Sequence, residues 1–203
     1  MGRVSDARAR LITAAMQLIW QRSYNAVGVN ELCRQAGVKP GSFYYFFPSK
    51  RDLILAALEE NWKQTQANVF EPAFAAGVDS ADRIPTIFQL AHRQQVARQE
   101  QAGRVLGCAF GSLGSELGHQ DEVVGQKITE IFGRFCGYFE RALQETADTN
   151  SFPVENIPAR ARAILAYLEG ILLLARTHNN TGLMLQLLPM VNEIAGLKTQ
   201  TAS

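Results

Sequence analysis

Cysteine, histidine and long apolar runs are all scarce in this sequence, and each scarcity removes a class of protein. The three cysteines, Cys33, Cys108 and Cys136, are odd in number and widely spaced, which supports neither a disulfide framework nor a C-x-x-C metal knuckle. The three histidines, His92, His119 and His178, stand far apart. With no Ser/His/Asp constellation and no Gly-Lys loop to cradle phosphate, the chain offers no catalytic residue, metal site or cofactor site, and an enzyme is not expected. No apolar run reaches the ~18 residues of a membrane-spanning helix, even at Ile164–Ala175, which Tyr167, Glu169 and Gly170 interrupt. Nor does an uninterrupted apolar stretch follow Met1-Gly2-Arg3-Val4-Ser5-Asp6, so no secretory signal is read there. The expectation is a soluble, cytoplasmic protein with no membrane partner. Internal repeats, low-complexity tracts and sustained strand alternation are also missing.

What is present is enough apolar content for a core. Hydrophobic residues make up 47% of the 203 and charged residues 19%, which excludes wholesale disorder and fits one mid-sized unit or two small ones. The net charge of +1 conceals an asymmetry. Residues 1–51 carry eight Lys/Arg against Asp6 and Glu31, and the remainder is acidic by five charges. A basic small end on an acidic body points to an anionic partner for that end alone, although a solvated basic face has the same composition.

Helical periodicity runs through the chain, and an all-α fold is expected. Ser5 can cap a first helix whose stripe of Leu11, Ile12, Ala15, Leu18 and Ile19 marks one apolar face. A short helix over Asn30–Gln35 should end at Gly37, and another should start at Pro40 and stop before Pro48. Ser49 and Asp52 form a capping-box-type start for a fourth helix, Lys50–Val69. Beyond a loop at Ala73–Asp82, helices are expected near Arg83–Gln99, Arg104–Leu117, Asp121–Ala147, Pro158–Thr177 and Gly182–Ala195, with a frayed tail at Lys198–Ser203.

Residues 28–50 carry the strongest motif. Two short helices joined at Ala36-Gly37-Val38, with Leu32, Ala36, Val38, Phe43 and Phe47 setting their angle, make a helix-turn-helix. The second helix of such a unit enters the major groove by its N-terminus. Lys39, Ser42, Tyr44 and Tyr45 should point outward and Phe43 and Phe47 inward; Phe46 fits either the core or an aromatic platform.

This stretch resembles the DNA-binding signature of the TetR/AcrR family of bacterial transcriptional repressors, which runs A-G-V-x-x-G-x-x-Y-x-x-F-x-x-K. Here it reads Ala36-Gly37-Val38, Gly41, Tyr44, Phe47 and Lys50. The resemblance implies an N-terminal three-helix DNA-binding domain at residues 1–49. It implies a helical effector-binding and dimerisation domain at residues 50–203. Carried over by position, Tyr44 and Lys50 would grip phosphates. Asn30, Lys39, Pro40, Gly41, Ser42 and Tyr45 would approach base edges or the adjacent backbone, and Gly41 would permit a close approach. Two departures stand out: Lys39 where the family often has Ser or Thr, and Phe46 where it often has His. Gly28 replaces a common Thr cap, leaving N–H groups that a phosphate could fill.

The body of the chain holds further candidate residues. Two late helices carry broad apolar faces, and the resemblance assigns them to a homodimer interface through Leu165, Leu168, Leu172, Met184, Leu187, Leu188 and Val191. The run from Gly107 to Leu117 holds three glycines, each costing roughly 1 kcal/mol in a helix against alanine. Close helix approach or room for a ligand could offset that. The run is similar to a stretch in one branch of the family, near the effector pocket. Phe88, His92, Phe132, Phe135, Phe139 and Tyr167 either line an apolar ligand site or form plain core. Cys108 is either an inert small hydrophobe or a sensor thiol activated by Arg104 one turn earlier. The expected function is a ligand-responsive repressor. It would bind a palindromic double-stranded operator as a homodimer and release it on binding a small apolar or electrophilic effector. The alternative is a thiol-based repressor switched through Cys108.

Overall fold

The computed structural model describes residues 2–150 and 155–196. In chain order the helices are α1 (Gly2–Gln21), α2 (Val29–Ala36), α3 (Pro40–Phe46), α4 (Lys50–Thr65), α5 (Glu71–Ala73), α6 (Arg83–Ala102), α7 (Ala109–Leu117), α8 (Glu122–Asn150), α9 (Ile157–Thr177), α10 (Gly182–Leu187) and α11 (Met190–Ala195). No strand occurs among the described residues, so the fold is all-α as the periodicity requires. No described helix is long and apolar enough to cross a membrane.

Several boundaries depart from expectation for identifiable reasons. α1 starts at Gly2, which puts Ser5 inside the helix rather than at its cap. α4 ends at Thr65, and a π-helical turn at Gln66–Phe70 takes over before α5. The expected helix over Arg104–Leu117 forms only from Ala109, because Gly103 ends α6 in the left-handed region at φ 72° and Gly107 follows at φ 70°. Pro189 separates α10 from α11, where one continuous helix had been expected. The tail at Lys198–Ser203 lies outside the described residues.

By packing, the chain divides into two units. The first comprises the chain up to Gln64 together with Ala109–Thr129. Its core takes Leu11, Ala15 and Ile19 from α1, Leu32 and Ala36 from α2, Phe43 from α3 with Phe47 just beyond it, and Leu53 and Ala57 from α4, all buried. α2 ends as expected, with Gly37 at φ 60° and its N–H and that of Val38 closing on Arg34 and Cys33 carbonyls. At the start of α4, Ser49 Oγ accepts from the Asp52 N–H at 3.3 Å as expected, and the Ser49 hydroxyl itself donates to Asp52 Oδ2 at 2.6 Å. Close approach is needed where α8 meets the end of α7: a Cβ on Gly125 would lie 2.9 Å from the Gly118 carbonyl, whereas one on Gly118 would meet the Gly114 carbonyl of its own helix end at 2.5 Å. α7 and the start of α8 therefore meet backbone to backbone.

The second unit comprises Thr65–Cys108 and the chain from Glu130 onward. α9 lies against α10 and α11, and both of those touch α6. The non-helical connector before α7 is clamped from two sides. Buried Gln95 exchanges hydrogen bonds with Gly107, each 3.1 Å, and Asn179 Oδ1 accepts from the Val105 N–H at 2.8 Å.

Candidate nucleic-acid interface and effector region

α3 is a seven-residue helix with Pro40 in its first turn, where a missing N–H costs nothing, and Lys39 at its N-cap without a side-chain cap bond. Phe43 and Phe47 turn inward, their rings tilted against each other at 6.0 Å, and Arg8 lies over the Phe47 ring at 5.2 Å. That arrangement forces the intervening residues outward: Tyr44 is 62% exposed and Tyr45 76%. Phe46 is half-buried, edge-on to Tyr45 at 5.0 Å. Lys39, Pro40, Gly41 and Ser42 are exposed, as are Gly28 and Asn30 on α2. Among the described residues nothing comes within 4 Å of a Cβ built on Gly41, so their packing does not demand glycine there. Gly28 caps α2 without a side-chain bond, leaving the first N–H groups of that helix facing outward.

Lys50 sits differently from the other expected DNA residues. It is half-buried, its ammonium donates to the Tyr24 carbonyl, and it stands 3.9 Å over the Tyr24 ring. Burial lowers its pKa, and the nearby Glu116 carboxylate opposes that shift. Periodicity gave no sign of this engagement, since Tyr24 and Glu116 are remote in sequence.

The expected effector residues fall into three groups in the second unit. Phe135 and Phe139 belong to an aromatic cluster centred on Phe70, at 4.9 and 6.0 Å, with Tyr138 stacked on Phe70 at 4.8 Å. Half-buried Phe132 meets this cluster edge-on through Phe135. Phe88 pairs with Tyr167 at 6.2 Å, and the Tyr167 hydroxyl donates to the Leu187 carbonyl at 2.8 Å. His92 is half-buried, and burial followed by the Arg93 charge lowers its pKa.

Cys108 forms the third group with residues the sequence did not single out. Its thiol hydrogen-bonds Glu169, whose carboxyl is pushed up chiefly by burial. The Arg98 charge is coupled to Cys108, and Arg104, on the non-helical connector, is exposed. Glu169 Oε1 is buried without a hydrogen-bond partner. A cleft of about 650 Å³ lined by Val78–Ala81, Arg83, Glu145, Asp148 and Thr149 includes none of the expected effector residues.

Of the residues assigned to subunit pairing, Leu168, Leu172, Met184 and Val191 are buried within the subunit, and Leu165, Leu187 and Leu188 are half-buried. The exposed apolar residues of these helices are Leu173, Leu174, Leu185 and Met190.

A basic end bearing an exposed recognition helix on a helix-turn-helix defines a DNA-binding transcriptional regulator. Residues 11–57 match the family model of the bacterial regulatory proteins, tetR family. Over those residues the chain is similar to that family. Among its relatives, an uncharacterized HTH-type transcriptional regulator of Lactococcus lactis is 27% identical over 173 residues, 84% of each chain. The HTH-type transcriptional repressor NemR of Escherichia coli is 33% identical over 113 residues, 55% of this chain and 54% of its own. The crystal structure of reduced E. coli NemR shares the fold with a TM-score of 0.81 at 23% identity, covering 95% of this chain and all of that one.

Proposed function

We propose that the protein is a homodimeric, ligand-responsive repressor, with residues 1–49 reading a palindromic operator and residues 50–203 binding a small-molecule effector and pairing the subunits. The observation that carries this reading is the bare recognition surface. Asn30, Lys39, Pro40, Gly41, Ser42, Tyr44 and Tyr45 are all exposed on the helix-turn-helix. One such helix reads few base pairs; two across a two-fold axis read a palindrome. The pairing surface is the exposed side of α9 to α11, where Leu173, Leu174, Leu185 and Met190 leave apolar area in water. A Cβ on the exposed Gly170 would meet nothing, so that side of α9 is open to a mate.

Release requires the effector to favour one conformation. A ligand preferring the released state by about 10⁴-fold moves the population from 1:99 to 99:1. The π-turn that follows α4 carries Phe70 into the aromatic cluster of α8. A ligand wedged among these rings would displace the turn and pull on α4, whose first residue is Lys50.

Salt titration of operator binding tests the DNA contacts. Tyr44→Phe removes a hydroxyl from an exposed ring and should weaken binding to every sequence alike. Lys50→Ala should lower the log–log salt slope by about one if the ammonium leaves Tyr24 for a phosphate. An unchanged slope with reduced affinity would assign Lys50 to holding the α1–α2 turn instead.

A thiol switch through Cys108 is the second reading, supported by its half-exposed position beside Arg98 and by its neighbours in composition. Burial pushes up the thiols of both Cys33 and Cys136. Under this second reading Cys108 should be alkylated first by maleimides. Under this reading Cys108→Ser abolishes quinone-triggered release while DNA affinity stays at the wild-type level; under the ordinary-ligand reading release persists.

A further inference from the structure

The turn between α1 and α2 presents a polar problem that local sequence does not solve. Its Ala26 N–H reaches Ser23 Oγ at 3.2 Å, and its Val27 N–H reaches the Tyr24 carbonyl at 3.4 Å. The N–H groups of Tyr24 and Asn25 are taken by a residue more than ninety positions away. Glu116 on α7 accepts the first through Oε2 at 2.9 Å and the second through Oε1 at 3.0 Å. The carbonyl between these two donors takes the Lys50 ammonium. One carboxylate and one ammonium, from two other helices, thus clasp a single turn from its donor and acceptor sides. Charge-assisted bonds of this kind are the stronger ones, and paired N–H donors fix a carboxylate in direction as well as distance.

The rest of the first unit holds α7 where Glu116 can reach. Gly125 lets α8 approach the end of α7, where a Cβ would lie 2.9 Å from the Gly118 carbonyl. Asp121 caps α8 by accepting from Val123 and Val124 N–H at 3.1 and 3.2 Å, and its other oxygen lies 3.6 Å from Arg51 of α4. Lys127 pairs with Glu59 of α4 at 2.6 Å. The clasped turn leads directly into Gly28 and Asn30, the start of α2 and the first residues expected at DNA.

We propose that Glu116 is a positioning residue for operator recognition: by clasping the Tyr24–Asn25 backbone it sets the angle at which α2 and α3 are presented to the groove, without itself touching DNA. α7 then belongs functionally to the DNA-reading unit, and any change in α7 reaches the recognition helix through this carboxylate. The inference rests on the DNA-binding reading, and the experiment separates the two.

A duplex is first selected by the wild-type protein from a random library, and a scrambled duplex serves as the non-specific control. Wild type, Glu116→Gln and Glu116→Ala are titrated with both at several salt concentrations, and amide hydrogen exchange is followed at Tyr24 and Asn25. Loss of charge-assisted bonds should cost Glu116→Ala about tenfold to a hundredfold on the selected duplex. Glu116→Gln, which keeps one acceptor oxygen, should fall between. The salt slope and the scrambled-duplex affinity should not change, because no phosphate contact is lost. Exchange at the two amides should accelerate in the same order. Equal losses on both duplexes, or selected-duplex binding within twofold of wild type, would overturn the positioning role. Unchanged exchange in Glu116→Ala would overturn the clasp itself, independently of DNA. A wild-type protein that selects no duplex would overturn the DNA reading, and the positioning role with it.

Discussion

Glutamate at both Leu173 and Met190 should give a folded, soluble monomer whose affinity for a palindromic operator falls at least about a hundredfold, the usual scale of lost bivalency. Both side chains are apolar and exposed, at 63% and 42%, so a carboxylate at either position stays hydrated in the isolated subunit. In a dimer that buries this face, four carboxylates would lose water without partners, and association would fail. Light scattering coupled to gel filtration reads the mass, and thermal unfolding checks the fold. The same change at Leu168 should behave otherwise. That side chain is 3% exposed inside its own subunit, so Leu168→Glu should lower the melting temperature sharply or give insoluble protein whatever the state of pairing. A soluble Leu173/Met190 double variant that still runs as a dimer would move the interface off this face.

Phe135→Ala should produce the largest loss of stability, about 3–5 kcal/mol in urea unfolding, the range for emptying a buried aromatic site. The ring is buried, edge-on to Phe70 at 4.9 Å and to Phe132 at 6.0 Å. Removing it opens a cavity beneath the π-turn. The cost should fall short of this range at half-buried Phe132, which has less packing to lose. Phe132→Ala that keeps its stability yet no longer responds to effector would assign that ring to the ligand. Equal losses of stability at both positions would make the whole cluster core. The comparison is read by measuring urea midpoints and effector-induced DNA release on the same preparations.

The sequence was legible where function depends on contiguous residues. The recognition unit lies within residues 28–50, and the spacing of Phe43 and Phe47 alone predicts which side of α3 faces inward. Gly37 terminates α2 because a left-handed residue is needed there, and Pro40 opens α3 because its fixed φ suits a first turn. Apolar periodicity was less informative in the body. Leu168 and Leu172 share the helical spacing of a subunit interface, yet both face their own core, since periodicity identifies an apolar stripe without saying what covers it.

By itself, then, the amino-acid sequence determined the all-α class, the helix-turn-helix and the exposed tyrosines of its recognition helix, because helix propensity, caps and short-range spacing are local quantities. Only the tertiary structure decided what depends on residues distant along the chain. It brought Arg98 and Glu169 to Cys108, and two positive-φ glycines break the helix expected to run through Arg104. It also engaged Lys50 and Glu116 with opposite sides of one turn, because unsatisfied backbone groups are costly and take the nearest charge that packing supplies. Such pairings follow from helix approach distances, which a glycine such as Gly125 permits but no linear pattern specifies.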